Sequence, residues 1–278
     1  MARVCEIASS LVLLALTGTI PLHAQGAAAP QQGEGSADLA KKLSNPVSDL
    51  VSVPFQFNWE NGVGPNKNTR FILNIQPVVP FTLNPKWNLI ARVITPLVSQ
   101  PPLVAGGAAT FGVSDILASF FFSPAQPRGF IWGVGPVFSL PSTADPFLGT
   151  GKWSAGPTVV VLKQAGPWTY GALWNQVWSF AGDTARGDVS QMFLQPFVAY
   201  TSKSAVTVTV NSEATANWKA SSGQQWTIPI NVLVSKISWF GPFPASYGVG
   251  AGVFVEKPTG GPSWKLRAIA TVLLPRKK

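Results

Sequence analysis

The chain offers few groups for covalent or acid–base chemistry. Its single cysteine, Cys5, and single histidine, His23, both fall within residues 1–24. That stretch reads as a secretory signal: Arg3, the apolar run SLVLLALTGTIPL, then a cleavage site at Leu22-His23-Ala24 before Gln25. Once it is removed, thiol catalysis, histidine-based triads and Cys/His zinc sites are gone. Serines and carboxylates remain without a compact constellation, so neither an enzyme nor a metal or cofactor is expected. The mature chain does hold polar residues embedded in apolar surroundings: Gln76, Arg92, Asp115, Gln195, Asn211, Glu213, Asn231, Lys265 and Arg267. Such groups on one wall can pair into a supporting network. They can also form a constriction, where Arg92, Lys265 and Arg267 would favour anionic or polar aromatic solutes.

The elements that carry these residues follow from composition and periodicity. Of 278 residues, 46% are hydrophobic and only 11% charged, whereas soluble domains carry roughly 25% charged residues. The 26 glycines and 25 prolines disfavour long helices. No apolar run long enough for a membrane helix occurs beyond the N-terminus. An all-β protein remains, with much of its surface turned away from water.

Twelve β-like segments are predicted, near 50–60, 69–83, 86–98, 113–124, 129–141, 153–164, 167–180, 190–202, 205–218, 225–237, 246–256 and 263–274. In AVTVTVNSEATANW, Val206, Val208, Val210, Ala214 and Ala216 share one face; Thr207, Thr209, Asn211, Glu213, Thr215 and Asn217 share the other. In SWKLRAIATVLLP, Trp264, Leu266, Ala268, Ala270, Val272 and Leu274 oppose Lys265, Arg267 and Thr271. GVGAG (248–252) lies inside a segment rather than before a helix, so a dinucleotide loop is excluded.

A soluble sandwich would also alternate. Two features favour a closed antiparallel transmembrane β-barrel of about twelve strands. Long connections (NGVGPNKN, SQPPLVAGGAATFG, PSTADPFLGTGK, AGDTARGDV) alternate with short ones (LNP, PAQPR, KQAG, TSKS), with WFGPFPA (239–245) as a long exception on the short side. The tryptophans also fall near segment ends: Trp59, Trp153, Trp178, Trp218, Trp226 and Trp264 at the outer ends, and Trp87, Trp132, Trp168 and Trp239 at the inner ends. That spacing predicts two aromatic girdles. Closure pairs every backbone group that lipid would leave unsatisfied. Twelve strands at about 4.8 Å spacing and ~40° tilt enclose a cylinder about 24 Å across, narrowed by side chains to about 10 Å. Against the pattern, Pro54, Pro77, Pro136, Pro157, Pro196 and Pro229 lie inside predicted strands, which requires bulges or displaced strand ends.

The expected organisation is a signal over 1–24, a periplasmic linker or partial plug over 25–49, and the barrel over 50–278. The short amphipathic stretch around 38–50 either lies on the inner membrane surface or enters the lumen. The expected partners are outer-membrane lipid, the barrel-assembly machinery and an unspecified small solute; dispersed basic charge argues against nucleic acid.

The runs NPVSDLVSVPFQFNW, RFILNIQPVVPF, WNLIARVITPL, GVSDILASFFFSP, FIWGVGPVFSLPSTAD and KWSAGPTVVVLKQAGPWTYGALWNQVWSFAG, with FLQPFVAYT and QWTIPINVLVS, resemble a bacterial outer-membrane family. It is grouped with the phenol meta-pathway (MetA-pathway) degradation proteins and is often labelled transporter or neuromedin U. The resemblance spans roughly residues 40–278. It implies an outer-membrane channel or transporter in a Gram-negative bacterium, for small solutes with hydrophobic or aromatic compounds among the candidates. It supplies no catalytic residues. The alternative is a structural or adhesion barrel without transport. The ending Leu274-Pro275-Arg276-Lys277-Lys278 departs from the aromatic terminus usual in such barrels.

Overall fold

A computed structural model describes residues 35–241 and 243–274. The signal expected over 1–24, with Cys5 and His23, and the terminal Pro275–Lys278 lie outside the described residues. One helix, α1 (Ser36–Leu43), precedes β1 (Val51–Val63), β2 (Asn68–Ile75), β3 (Val78–Asn84), β4 (Trp87–Gln100), β5 (Thr110–Val113), β6 (Ile116–Pro124) and β7 (Ile131–Leu140). There follow β8 (Lys152–Ala165), β9 (Trp168–Gly182), β10 (Ser190–Thr201), β11 (Val206–Ser212), β12 (Ala214–Asn217), β13 (Trp226–Phe240), β14 (Phe243–Glu256) and β15 (Trp264–Leu274).

Three pairs, β2/β3, β5/β6 and β11/β12, are halves of one strand each, so the fifteen segments make twelve strands. All neighbours pair antiparallel, and β15 closes on β1 from Val51↔Leu274 to Asn61↔Trp264. The result is a closed twelve-stranded antiparallel barrel.

The strand prolines mostly stay in register rather than displacing it. β1 pairs β2 at Phe55↔Ile75 and β3 at Ser52↔Val78, so no residue is inserted around Pro77. Ser212↔Ile230 and Thr215↔Thr227 also keep one register, which sets Glu213 opposite Pro229. Pro229 has no N–H to give, and the ladder lapses there. Pro136 and Pro157 face each other directly. Bulges occur at Ser114-Asp115, where Leu97↔Val113 gives way to Ile94↔Leu117, and at Val255, between Ile228↔Glu256 and Pro229↔Phe254, with further one-residue shifts at Gly62, Leu83 and Phe180.

Two connections differ from expectation. WFGPFPA is not a long turn: β13 runs to Phe240 and β14 restarts at Phe243, so this end also closes with a tight hairpin. NGVGPNKN shrinks to residues 64–67, because β1 and β2 extend into it. A proline or glycine run reads as loop in sequence, yet strand pairing can continue through it.

Side chains alternate as the period of two requires. Val159 and Val161 are 36% and 43% exposed on the outer face, while Val160 and Leu162 between them are 0% and 1% exposed. The girdles form as ring contacts between neighbouring strands: Trp87–Trp132 (5.8 Å) and Trp168–Tyr200 (5.0 Å) at the short-turn end, Trp59–Phe71 (5.5 Å) and Trp218–Trp226 (5.4 Å) at the other. Trp239 is an exception. It shares the inner face with buried Ile237, and its Nε1 donates to Ser36 Oγ of α1 at 2.9 Å.

The inner-facing apolar residues explain where α1 goes. An eight-residue helix is too short to persist alone. Asp38 in its first turn and Lys41 and Lys42 in its last suit the helix dipole. Its main support is packing: Leu39 and Ala40 cluster with Ala205, Ile237 and Leu273. Gln164 Nε2 donates to the Lys41 carbonyl at 2.8 Å. Beyond the helix, Asn45 Oδ1 accepts from Val47 N at 3.0 Å, a turn that sends Val47 inward. Val47 packs with Ile90, Phe121, Val160, Leu162 and Leu173, all on inner faces. Residues 36–50 therefore lie inside the barrel at its short-turn end, the end that faces the periplasm in outer-membrane barrels.

At the opposite end the connections 141–151 and 183–189 fold over the mouth. Arg186 donates to the Pro146 carbonyl at 3.2 Å and to that of Gly149, and Val189 packs on Val137 and Val177. The Asp115 bulge anchors the first connection: Oδ2 accepts from Thr150 N at 2.7 Å and Oγ1 at 2.6 Å. Asp115→Ala should free residues 141–151 while leaving the barrel intact. Limited proteolysis with proteinase K should then nick that connection faster; an unchanged digestion rate would contradict the anchoring role.

Candidate functional site

The polar inner faces of β1, β2, β4 and β15, with Glu213 between β11 and β12, meet in one layer across the lumen. In β1, Gln56, Asn58 and Glu60 point inward, and register sets Asn58 opposite Arg267 and Glu60 opposite both Lys265 and Arg70. Glu60 Oε2 accepts from Arg70 Nε at 2.9 Å and Nη2 at 2.5 Å, and Arg70 Nη1 reaches Gln100 Oε1 at 3.5 Å. Glu213 accepts from Arg267 Nη1 at 2.8 Å, Arg267 Nη2 at 2.7 Å and Lys265 Nζ at 3.0 Å. Arg267 Nε donates to Asn58 Oδ1 at 2.7 Å. Lys265, Arg267 and Asn58 are buried.

The Glu213 cluster spans a wide stretch of wall. Glu213 belongs to the strand of β11 and β12, its cationic partners to β15, and β13 and β14 lie between them. Gly250 pairs with Arg267 and Gly252 with Lys265, so the two long side chains cross a strip of wall with no side chains of its own. A Cβ at position 252 would sit 2.2 Å from Asn231 Oδ1, and one at 250 would sit 2.4 Å from the Val232 carbonyl. The glycines thus let β14 approach β13 and its Asn231 side chain closely.

Most of the sequence-predicted residues converge. Gln76 is buried and accepts from Arg92 Nη2 at 2.7 Å. Asn231 Nδ2 donates to Asn211 Oδ1 at 2.8 Å. Glu213, Lys265 and Arg267 form the bidentate cluster. Gln195 and Asn211 line a cavity just beyond it. Asp115 stands apart at the opposite mouth, tied to Thr150. Sequence reasoning missed Arg70 as an inner-face charge, although its even spacing from Asn74 and Gln76 puts it on their face. The layer holds three cations, Arg92, Lys265 and Arg267, against one carboxylate, Glu213; the Glu60–Arg70 pair is neutral.

Between this layer and α1 lies a cavity of about 210 Å³. Leu43, Phe197, Leu233, Ile237 and Ile269 supply its apolar wall; Thr207, Thr209, Ser235, Ser246 and Thr271 supply hydroxyls. A cavity of about 150 Å³ already takes up benzene, so this space suits a single substituted ring.

Comparison with known proteins places this architecture. Over 81% of this chain and 94% of the other, the fold is similar to a COG4313 outer membrane channel from Pseudomonas putida F1, at TM-score 0.61 and 14% identity. The chain has the fold of an outer-membrane barrel. A second solved structure, the NanC porin, is similar over 80% of this chain and 98% of its own, at TM-score 0.52 and 10% identity. No protein-family model and no curated protein matches the chain. At these identities the likeness carries the barrel fold alone, and the lumen chemistry must be read from this chain's own residues. An outer-membrane barrel presents its short turns to the periplasm, so the cavity opens toward α1 and the charged layer lies beyond it.

Proposed function

We propose that the protein is a channel of the Gram-negative outer membrane for small solutes, with hydrophobic or aromatic compounds among them, and that residues 36–50 act as a partial plug. The observation that carries this reading is the partly open cavity of about 210 Å³ between a charged layer and α1, inside a wall that faces lipid. Here the interior keeps a mixed apolar and hydroxyl space of ligand size, and the outer connections fold back over the mouth. The fold likeness to an outer membrane channel supports the same reading. The grouping with phenol-pathway proteins rests on sequence resemblance and names the solutes worth testing. Membrane lipid and the assembly machinery are the expected partners, as for any such barrel.

The test is electrical. Purified protein in planar bilayers should give discrete conductance steps, with anions favoured by the surplus of positive charge in the layer. A barrel that inserts, shown by heat-modifiable gel migration, yet stays silent at all voltages would overturn the channel and favour the structural alternative.

A further inference from the structure

Arg92 makes one hydrogen bond among the described residues, from Nη2 to Gln76 Oε1 at 2.7 Å. A guanidinium has five N–H donors, so most of its fork has no protein acceptor among the described residues. Gln76 Nε2 lies 3.0 Å from Gln56 Oε1. The other edge of the Gln56 amide lies 2.9 and 3.1 Å from Arg267 Nη1 and Nε. Two amides therefore stand in a row between two guanidiniums.

That row cannot be satisfied by itself. An amide has one accepting and one donating edge, and a guanidinium only donates. With the Gln56 carbonyl toward Gln76 and Asn74, its NH2 faces Arg267. Reversed, its NH2 faces the Gln76 and Asn74 amide nitrogens at 3.0 and 3.2 Å. Turning Gln76 as well sets the Gln76 NH2 against Arg92. One donor-to-donor contact survives every arrangement, so the row lacks an acceptor. With three cations facing one carboxylate, an anionic acceptor suits this row better than a neutral one.

The cavity supplies the rest. Pro54, whose carbonyl accepts from Gln76 N at 2.9 Å, and Ile269, which pairs with Gln56, both line it. We infer that the layer is a seat for a small organic anion. Its carboxylate accepts from the open Arg92 fork and from the unpaired amide of the row, and its single-ring apolar body occupies the cavity above α1. This assigns a substrate class within the channel reading and rests on it.

The test is isothermal titration calorimetry on the full mature chain in detergent at low chloride, with benzoate, its neutral counterpart benzyl alcohol, and chloride. Benzoate should bind and benzyl alcohol should bind far more weakly. Arg92→Gln should weaken benzoate about tenfold or more. Gln56→Glu builds the missing acceptor into the wall and should abolish benzoate binding while keeping heat-modifiable migration, so it decides the matter even if Arg92→Gln fails to fold. Equal binding of benzoate and benzyl alcohol, undiminished binding to Gln56→Glu, or chloride binding as tightly as benzoate would each overturn the seat. Conductance is read separately: a conducting barrel that ignores benzoate loses the seat alone, and a silent barrel that binds benzoate loses the channel alone.

Discussion

Deleting residues 36–49 from the mature chain should raise single-channel conductance several-fold and make it less discriminating by solute size. The segment fills the periplasmic end of a lumen whose free width is otherwise about 10 Å. It is held by apolar contacts at two points: Leu39 and Ala40 on Ala205, Ile237 and Leu273, and Val47 on Phe121 and its neighbours. Burying each large apolar side chain contributes about 1.5–3 kcal/mol, so the segment stays seated most of the time and its loss should be plain in the current. A cross-link tests the same point in the opposite direction. A Cβ built on Gly133 would lie 3.3 Å from Val47 Cγ1, close enough for a disulfide in the double variant Val47→Cys, Gly133→Cys. Oxidation should lower the conductance and a reductant should restore it. If neither the deletion nor the cross-link moves the current, the solute path does not run past this segment.

Glu213→Gln should be the most damaging single substitution in the lumen. It removes the one carboxylate that Arg267 and Lys265 share and leaves two cations inside the barrel without their counter-charge. Breaking a buried ion pair from one side costs about 3–5 kcal/mol, against 1 kcal/mol or less for an exposed pair. Urea unfolding of the barrel in detergent should show the difference, and added salt should recover little of it, because buried pairs are poorly screened. In bilayers the variant should shift the reversal potential further toward anions. A stability loss below about 1 kcal/mol would place Glu213 among wet, dispensable surface pairs and contradict the geometry described here.

The strands were legible because each must present one face to lipid and one to the lumen, which writes a period of two into nearly every segment. All twelve predicted segments overlap a strand, and the tryptophans at their ends form girdles, with Trp239 diverted to hold α1. What alternation cannot express is register. Glu213 and Arg267 both read as wet-face residues, but their meeting across β13 and β14 depends on the register of three successive strand pairings, which alternation does not encode. Pro229 read as a defect in a strand; its place opposite Glu213 appears only once the pairing is known. Phe240 and Phe243 were hidden inside an apparent loop because glycine and proline beside them outweigh the strand signal locally. The route of residues 36–50 was undecidable from an amphipathic stretch alone, since a membrane surface and an apolar lumen wall ask for the same pattern.

The bond between Ser36 and Trp239 joins residues 203 apart in sequence, and that between Asn58 and Arg267 joins residues 209 apart. Contacts of such separation form late. The stopper lies early in the chain, yet its berth on Ala205, Ile237, Trp239 and Leu273 is supplied by residues beyond position 200. Its seat therefore exists only once β13 and β15 stand in the wall, so a seated stopper reports a completed barrel.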